Sequence, residues 1–321
     1  MDGSISIDLP QRRTLKASIG CVGVGLHSGR RVALTLRPAA AGTGIVFRRT
    51  DLGIEIPALY DHVVETRLCT MLGLPGDRRA TVGTVEHVMA ALAGCGVADA
   101  IIELDGPEVP ILDGSAAPFV FLLDCAGLIG RPAPMRAIEV LRPVRVSEGG
   151  GAGAAWAELR PATGPHFDAE IEIDFPGTAI GRQSAALRLT PAAFREEVAR
   201  CRTFTLAEEV ARLRAAGLCQ GGSLANAVVV DGPLILNPGG LRCPEEFAGH
   251  KLLDVVGDLA LAGAPIRGHF IGHRSGHALN NRLLRALFAD RDAWRVVEDE
   301  DVMAVGGAMP SYAAAAAPSF A

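Results

Sequence analysis

Apolar and polar positions alternate in short, separable segments along this chain, and two of those segments match. Val32-Ala-Leu-Thr-Leu-Arg37-Pro38-Ala39 and Trp156-Ala-Glu-Leu-Arg160-Pro161-Ala162 share a strand-like alternation running into Arg-Pro-Ala, and each reads as part of a hairpin opening one half of the chain. The later parts of the halves correspond as well. Thr84 to Ala93 carries a helical period, followed by a strand at Ala100 to Leu104 and a short helix from Ser115. His250 to Ala262 repeats that order, with a strand around Arg267 to Ile271 and a helix from Ser275 to Phe288. Two related units made by a divergent duplication account for the correspondence, and each is α+β.

The run Cys125 to Met135 concentrates Gly127, Gly130, Pro132 and Pro134, which disfavour continuous helix or strand. It is taken as a connector, giving one domain over 1–130 and a second over 131–321. Within the second, Gly149 to Ala155 has almost no side chain to pack and is read as a flexible hairpin tip. A helix is expected from about Leu206 to Ala216, opened by a capping box at Thr205-x-x-Glu208 and closed by Gly217. The apolar, glycine-containing stretch Leu218 to Val230 that follows is either a buried strand or the wall of an apolar tunnel.

Composition narrows the class. The 321 residues suffice for two domains, and 49% are hydrophobic, yet no run reaches the roughly 18 uncharged apolar residues of a membrane span. Met1 to Arg13 carries Asp2 and Asp8 instead of a basic and then apolar stretch, so no secretory leader is expected. Seven scattered cysteines without a Cys-x-x-Cys pair suit reduced thiols in a cytoplasmic protein. A net charge of -5 argues against a nucleic-acid partner. Lys16 and Lys251 are the only lysines, which makes the one beside His250 conspicuous.

Candidate chemistry centres on His250, Asp254 and Asp258, a stripe at i, i+4 and i+8 on an otherwise apolar helix, and on the distant pair Glu86-His87. Two histidines and a carboxylate are three N/O ligands that leave a coordination position open, as catalytic metal sites do. By spacing alone, the stripe is more simply the solvated side of an amphipathic helix, and Glu86-His87 the polar first turn of a helix begun by Thr84. His277 falls at a helix N-terminus with Ser275 as cap, where imidazolium is disfavoured unless a carboxylate such as Asp258 restores it. His269 and His273 read as strand or surface residues, and His27, His62 and His166 show no partner in the sequence.

Longer motifs carry a resemblance. QRRTLKASIGCVGVGLHSGRRVALTLRPA, TVEHVMAALAGCGVADAIIEL, EVPILDGSAAPFV, CRTF, GLCQGGSLANAVVV, HKLLDVVGDLAL and SGHALNNRLL follow one another over nearly the whole chain. In that order they resemble the UDP-3-O-acyl-N-acetylglucosamine deacetylases, zinc amidases of lipid A synthesis in Gram-negative bacteria. The resemblance implies two domains, each a sheet with helices and a small insert, with the helices packed between the sheets. It implies a Zn2+ site of His87, His250 and Asp254, with Glu86 as general base and His277 as general acid. Asp258 is implied to orient His277, Thr203 to stabilise the oxyanion, and Lys251, Phe204, Arg274, Leu68 and Cys69 to meet substrate. The partner is a UDP-sugar bearing an acyl chain, handled by a cytoplasmic monomer working near a membrane surface, with an insert at about 203–232 forming the acyl passage. Two positions depart from the family pattern: Thr205-Leu206 follows RTF where a glycine and an aromatic are usual, and Arg274 stands where lysine is frequent. An iron ion also suits such ligands. A related amidohydrolase for another acylated amino sugar would share them, and a tunnel along Leu218 to Val230 separates the two readings.

Overall fold

The computed structural model describes residues 11–298 apart from position 152. Positions 1–10, within the segment read for a leader, and the alanine-rich tail after Tyr312 lie outside the described residues.

Alternation builds the sheets. In the strand Arg31–Pro38 the buried positions are Val32, Leu34 and Leu36, so one face is apolar throughout. That strand sits in a five-stranded sheet ordered Ile19–Val24, Arg31–Pro38, Ala100–Leu104, Ile45–Arg49, Ile54–Pro57, in which only the Ala100–Leu104 and Ile45–Arg49 pair is parallel. The second half repeats this pattern. Val144–Glu148 pairs with Ala155–Arg160, which lies antiparallel to Ile266–His273. The latter runs parallel to Phe167–Phe175, whose other neighbour is the antiparallel Gly181–Arg188. Arg136–Val140 and Trp294–Glu298 extend that sheet to seven strands. The strand correspondence read from the sequence therefore extends to the connectivity of two sheets.

Each half also carries a small three-stranded sheet. One comprises Val63–Glu65, Met71–Gly73 and Thr81–Val82; the other comprises Phe204–Leu206, Val228–Asp231 and Leu234–Ile235. Helix Ala117–Ala126 packs on the Ile19–Val24 strand, and helices Glu246–Ala260 and His277–Ala289 pack on the seven-stranded sheet. At the centre, helix Glu86–Gly94 lies against Glu246–Ala260. Their approach requires a glycine, since a Cβ at Gly257 would stand 2.0 Å from the Glu86 carbonyl oxygen. The two helices that carry the candidate ligands are thus pressed together in the core. Among the described residues no helix is long and apolar enough to cross a membrane.

Several local expectations are corrected. The Gly/Pro run at 125–135 is not an open connector: it ends a helix and forms the strand Leu128–Pro134, paired antiparallel with Gln11–Leu15. An edge strand tolerates proline because the missing N–H need not be paired. Helix Ala207–Ala215 has Leu206 as N-cap with no side-chain cap, because Thr205 is held in a strand beside Val229. Ser275 does not cap either, the N-cap being Gly276. Of Leu218 to Val230 only the end is strand; Val228 and Val230 are buried, whereas Leu224 is exposed.

Candidate active site

Glu86 and His87 open helix Glu86–Gly94, and Thr84, expected as its cap, instead adopts a positive φ of 57° and donates its hydroxyl to Glu108. Glu108 also accepts the amides of His27 and Ser28, which ties the loop carrying Leu26 to this turn. Glu86 and His87 are each 3% exposed, and His250, Asp254 and Asp258 are each 2% exposed. The polar stripe therefore faces inward, against the amphipathic-surface reading. Burial of so many ionisable groups is costly unless they serve one another or a metal.

The three candidate ligands converge. One donor atom from each of His87, His250 and Asp254 lies within 4.8 Å of the others. Asp254 Oδ1 is 3.4 Å from His250 Nε2 and 3.8 Å from His87 Nε2. It is buried yet has no hydrogen-bond partner. His250 Nδ1 lies 3.0 Å from the Cys201 carbonyl oxygen, which can only accept, so the proton sits on Nδ1 and the Nε2 lone pair points at Asp254. Burial, with His250 nearby, pushes His87 down to about 3, and burial also lowers His250. For Asp254 burial acts upward, but His250, Lys251, His277 and His87 outweigh it and hold the carboxyl well below the usual range. Two neutral imidazoles facing an ionised, unpartnered carboxylate oxygen are the donor set a divalent metal requires.

Around this centre stand groups able to move protons. His277, the first residue of its helix, donates Nδ1–H to Asp258 Oδ2 at 2.8 Å. Its Nε2 is 3.9 Å from both Glu86 Oε1 and Asp254 Oδ2. Burial acts to lower its pKa, but the charge and hydrogen bond of Asp258, with Glu86 and Asp254, raise it to about 9. Burial pushes Glu86 up to about 7, aided by Asp254 and Asp258 and opposed by His277. Lys251 donates to Asp254 Oδ2 at 2.8 Å, and that carboxylate outweighs burial to raise its pKa.

The centre opens into a cleft of about 370 Å³ lined by residues of both halves, among them Leu26, Leu68, Thr203, Phe204, Lys251 and Arg274. Phe204 meets Phe247 edge-on at 5.0 Å and His250 at 6.2 Å, forming an apolar wall beside the ligands. Cys69 does not reach the cleft: it is 4% exposed, and burial, with Glu86 nearby, pushes its thiol up to about 12. None of residues 218–230 lines this cleft, although the amides of Gln220 and Gly221 brace the Leu26 loop. The hairpin holding the glycine run, read as a flexible tip, borders the cleft through Glu148 and Ala155. Arg274, at φ 52°, donates to the Gly153 carbonyl there.

Sequence reasoning missed Thr70 and Asn280, which donate to the two oxygens of Asp258, and the Cys201 carbonyl behind His250. Their partners are far away in sequence, so no local spacing signals them. It also missed the partners of other histidines: His62 pairs with Asp61, His166 with Asp168, and the His27 ring lies 3.8 Å from the Cys219 sulfur. His269 and His273 are on a strand as expected, each beside a glutamate.

A buried cluster of two histidines and one carboxylate at the floor of a cleft, with a carboxyl and a protonated imidazole on its rim, defines the class of metal-dependent hydrolases. Comparison with known proteins gives the family. The model of the UDP-3-O-acyl N-acetylglycosamine deacetylases matches residues 12–289. The chain is 49% identical over 290 residues to the UDP-3-O-acyl-N-acetylglucosamine deacetylase of Acidithiobacillus ferrooxidans, covering 90% of this chain and 93% of that one. It is 48% identical to the protein of that name from Anaeromyxobacter dehalogenans over 94% of this chain and 96% of the other, and 45% identical to that of a Shewanella species over 94% and 98%. The chain belongs to the UDP-3-O-acyl N-acetylglycosamine deacetylase family.

Proposed function

We propose that this protein removes the N-acetyl group of UDP-3-O-acyl-N-acetylglucosamine by hydrolysis, releasing acetate and the free 2-amino sugar for lipid A synthesis, with Zn2+ held by His87, His250 and Asp254. The observation that carries the reading is His277 Nε2 standing 3.9 Å from Glu86 Oε1 at the edge of that ligand cluster, so that a proton acceptor and a proton donor face one reacting bond. A divalent metal there supplies charge that polarises an amide carbonyl and acidifies water near neutral pH. Glu86 takes the proton of the attacking water. His277, kept protonated by Asp258, gives its Nε2 proton to the departing amine, and the Thr203 hydroxyl donates to the oxyanion.

Lys251, Arg274, Phe204 and Leu68 meet substrate along the cleft, with Arg274 taking phosphate oxygens as a planar fork. Cys69 acts only from behind that surface. The acyl chain is received where the insert at about 203–232 meets the cleft, through Thr203 and Phe204, and each methylene removed from water contributes about 0.8 kcal/mol. We read the chain as two related units, 1–130 and 131–321. Support comes from the repeated sheet connectivity, with the cleft between them. The scattered thiols support a cytoplasmic setting, and we take the working form to be a monomer.

Acetate release from the UDP-linked acyl sugar, measured with and without a chelator, tests the reading. Release that stops with chelator and returns with zinc supports it. Undiminished release from metal-free protein would sink it.

A further inference from the structure

Thr70 lies in the short stretch between Leu68 and the strand Met71–Gly73, is 1% exposed, and belongs to none of the motifs read as chemical. Every polar atom it has is engaged. Its amide donates to Glu86 Oε2 at 3.0 Å and its carbonyl accepts the Val85 amide at 3.3 Å. Its hydroxyl donates to Asp258 Oδ1 at 2.6 Å, across a sequence separation of 188. Asp258 in turn accepts from His277 and from Asn280 Nδ2, each at 2.8 Å. One residue of the first half therefore holds the proposed base through its backbone and the carboxylate behind the proposed acid through its side chain.

We propose that Thr70 is a positioning residue for the reaction, a brace fixing Glu86 and the Asp258–His277 pair at a common spacing across the cleft. The inference rests on the deacetylase reading and on the roles given there to Glu86 and His277. The alternative, a threonine that merely satisfies buried polar atoms, fits the amide and the carbonyl. The hydroxyl, by contrast, reaches across to a second element, to the same carboxylate that accepts from His277, so its loss would be felt at the ring and not only in stability. A short hydroxyl-to-carboxylate bond restricts Asp258 to one rotamer, and with it the ring that Asp258 orients.

The test uses the full metal-loaded chain with Thr70→Val, Thr70→Ala, Thr70→Ser, Asp258→Asn and Thr70→Val combined with Asp258→Asn. Bound metal, melting temperature, kcat and KM on the UDP-linked acyl sugar are measured for each. Both hydroxyl-less variants are expected to keep full metal and a KM within about twofold while kcat falls about ten- to a hundredfold, the range typical of losing an outer hydrogen-bond partner. Thr70→Ser, which keeps the hydroxyl, is expected within about threefold of the parent. The double variant is expected to be no slower than Asp258→Asn alone, because the hydroxyl acts through that carboxylate.

An unchanged kcat in the hydroxyl-less variants, a loss that adds to that of Asp258→Asn, or a loss confined to KM would overturn the proposal. So would a failure to hold a folded, metal-loaded state that Thr70→Ser shares. Should Val crowd Asp258, the Ala variant decides. The underlying reading fails separately: metal-loaded Glu86→Ala or Asp258→Asn with full kcat would remove the base or the acid whatever Thr70 does.

Discussion

At the scale of single residues the proposed function divides the site into groups that would hold a metal and groups that would move protons, and the two should separate by measurement. Removing His250 or Asp254 deletes a donor from the only cluster of this kind among the described residues. Both alanine variants should lose bound metal and activity together. Glu86→Ala should instead keep one metal per chain while losing about a hundred- to ten-thousandfold in rate, since its carboxylate bonds the Thr70 amide and faces His277 rather than serving as a ligand. Metal analysis of the purified variants checks the division.

The pH dependence follows from the same groups. Glu86 must be ionised to accept a proton and is raised to about 7, so the rate should fall as pH drops through that value. His277 must be protonated to donate and is raised to about 9, so the rate should fall as pH climbs through it. A divalent cation beside them draws both limbs toward lower pH. In Asp258→Asn the charge that holds the His277 proton is gone. The alkaline limb should move to lower pH and the rate drop at unchanged metal content, whereas an unmoved limb would assign it to another group.

At the scale of elements, the site depends on how closely two helices lie. The Glu86–Gly94 and Glu246–Ala260 helices bring the candidate ligands of the two halves together because Gly257 presents no side chain to the Glu86 carbonyl. Gly257→Ala would gain helix propensity in an isolated peptide, but here the added methyl must push the helices apart. A destabilisation of about 1–3 kcal/mol is expected. Because the displacement falls between ligand-bearing residues, weaker metal binding should accompany it; a denaturation curve and a metal titration on one preparation would show both. The helices and strands themselves were largely readable from periodicity, including the Ala100–Leu104 strand to the residue. Their caps were not. Thr84, Thr205 and Ser275 all resemble N-caps in sequence, yet none serves as one: a tertiary acceptor claims Thr84, a strand partner holds Thr205, and the helix after Ser275 begins one residue later, with Gly276 as its cap. Likewise the prolines of 128–134 became part of a strand once Gln11–Leu15 provided a partner.

At the scale of the whole molecule, both halves contribute to one candidate metal site, so under the proposed function metal and fold should be linked. Metal that binds the folded chain and not the unfolded one adds RT ln(1 + [L]/Kd), about 4 kcal/mol at a thousandfold excess over Kd. Chelation should therefore lower the melting temperature as well as stop acetate release, and stoichiometric zinc should restore both. Zinc in excess should inhibit by occupying the open side between Glu86 and His277, where it would displace the His277 Nε2 proton. A melting temperature indifferent to chelator would mean that the two halves close without help from the metal.

The sequence by itself determined the elements, the internal correspondence of the halves, and through its long motifs the family and the residue types of the site. Periodicity suffices for elements because burial of alternate or every third to fourth side chain is a local constraint. What it could not decide was whether the His250, Asp254, Asp258 stripe faced water or the core, since one spacing serves both. Only the tertiary structure settled that, by packing a second helix against the first, burying the carboxylates and placing Glu86, His87 and Thr70 opposite them. The same packing set the ionisation of each group. A pKa is fixed by what surrounds a side chain in space, and the groups that shift Glu86 and His277 include each other, contributed by opposite halves of the chain.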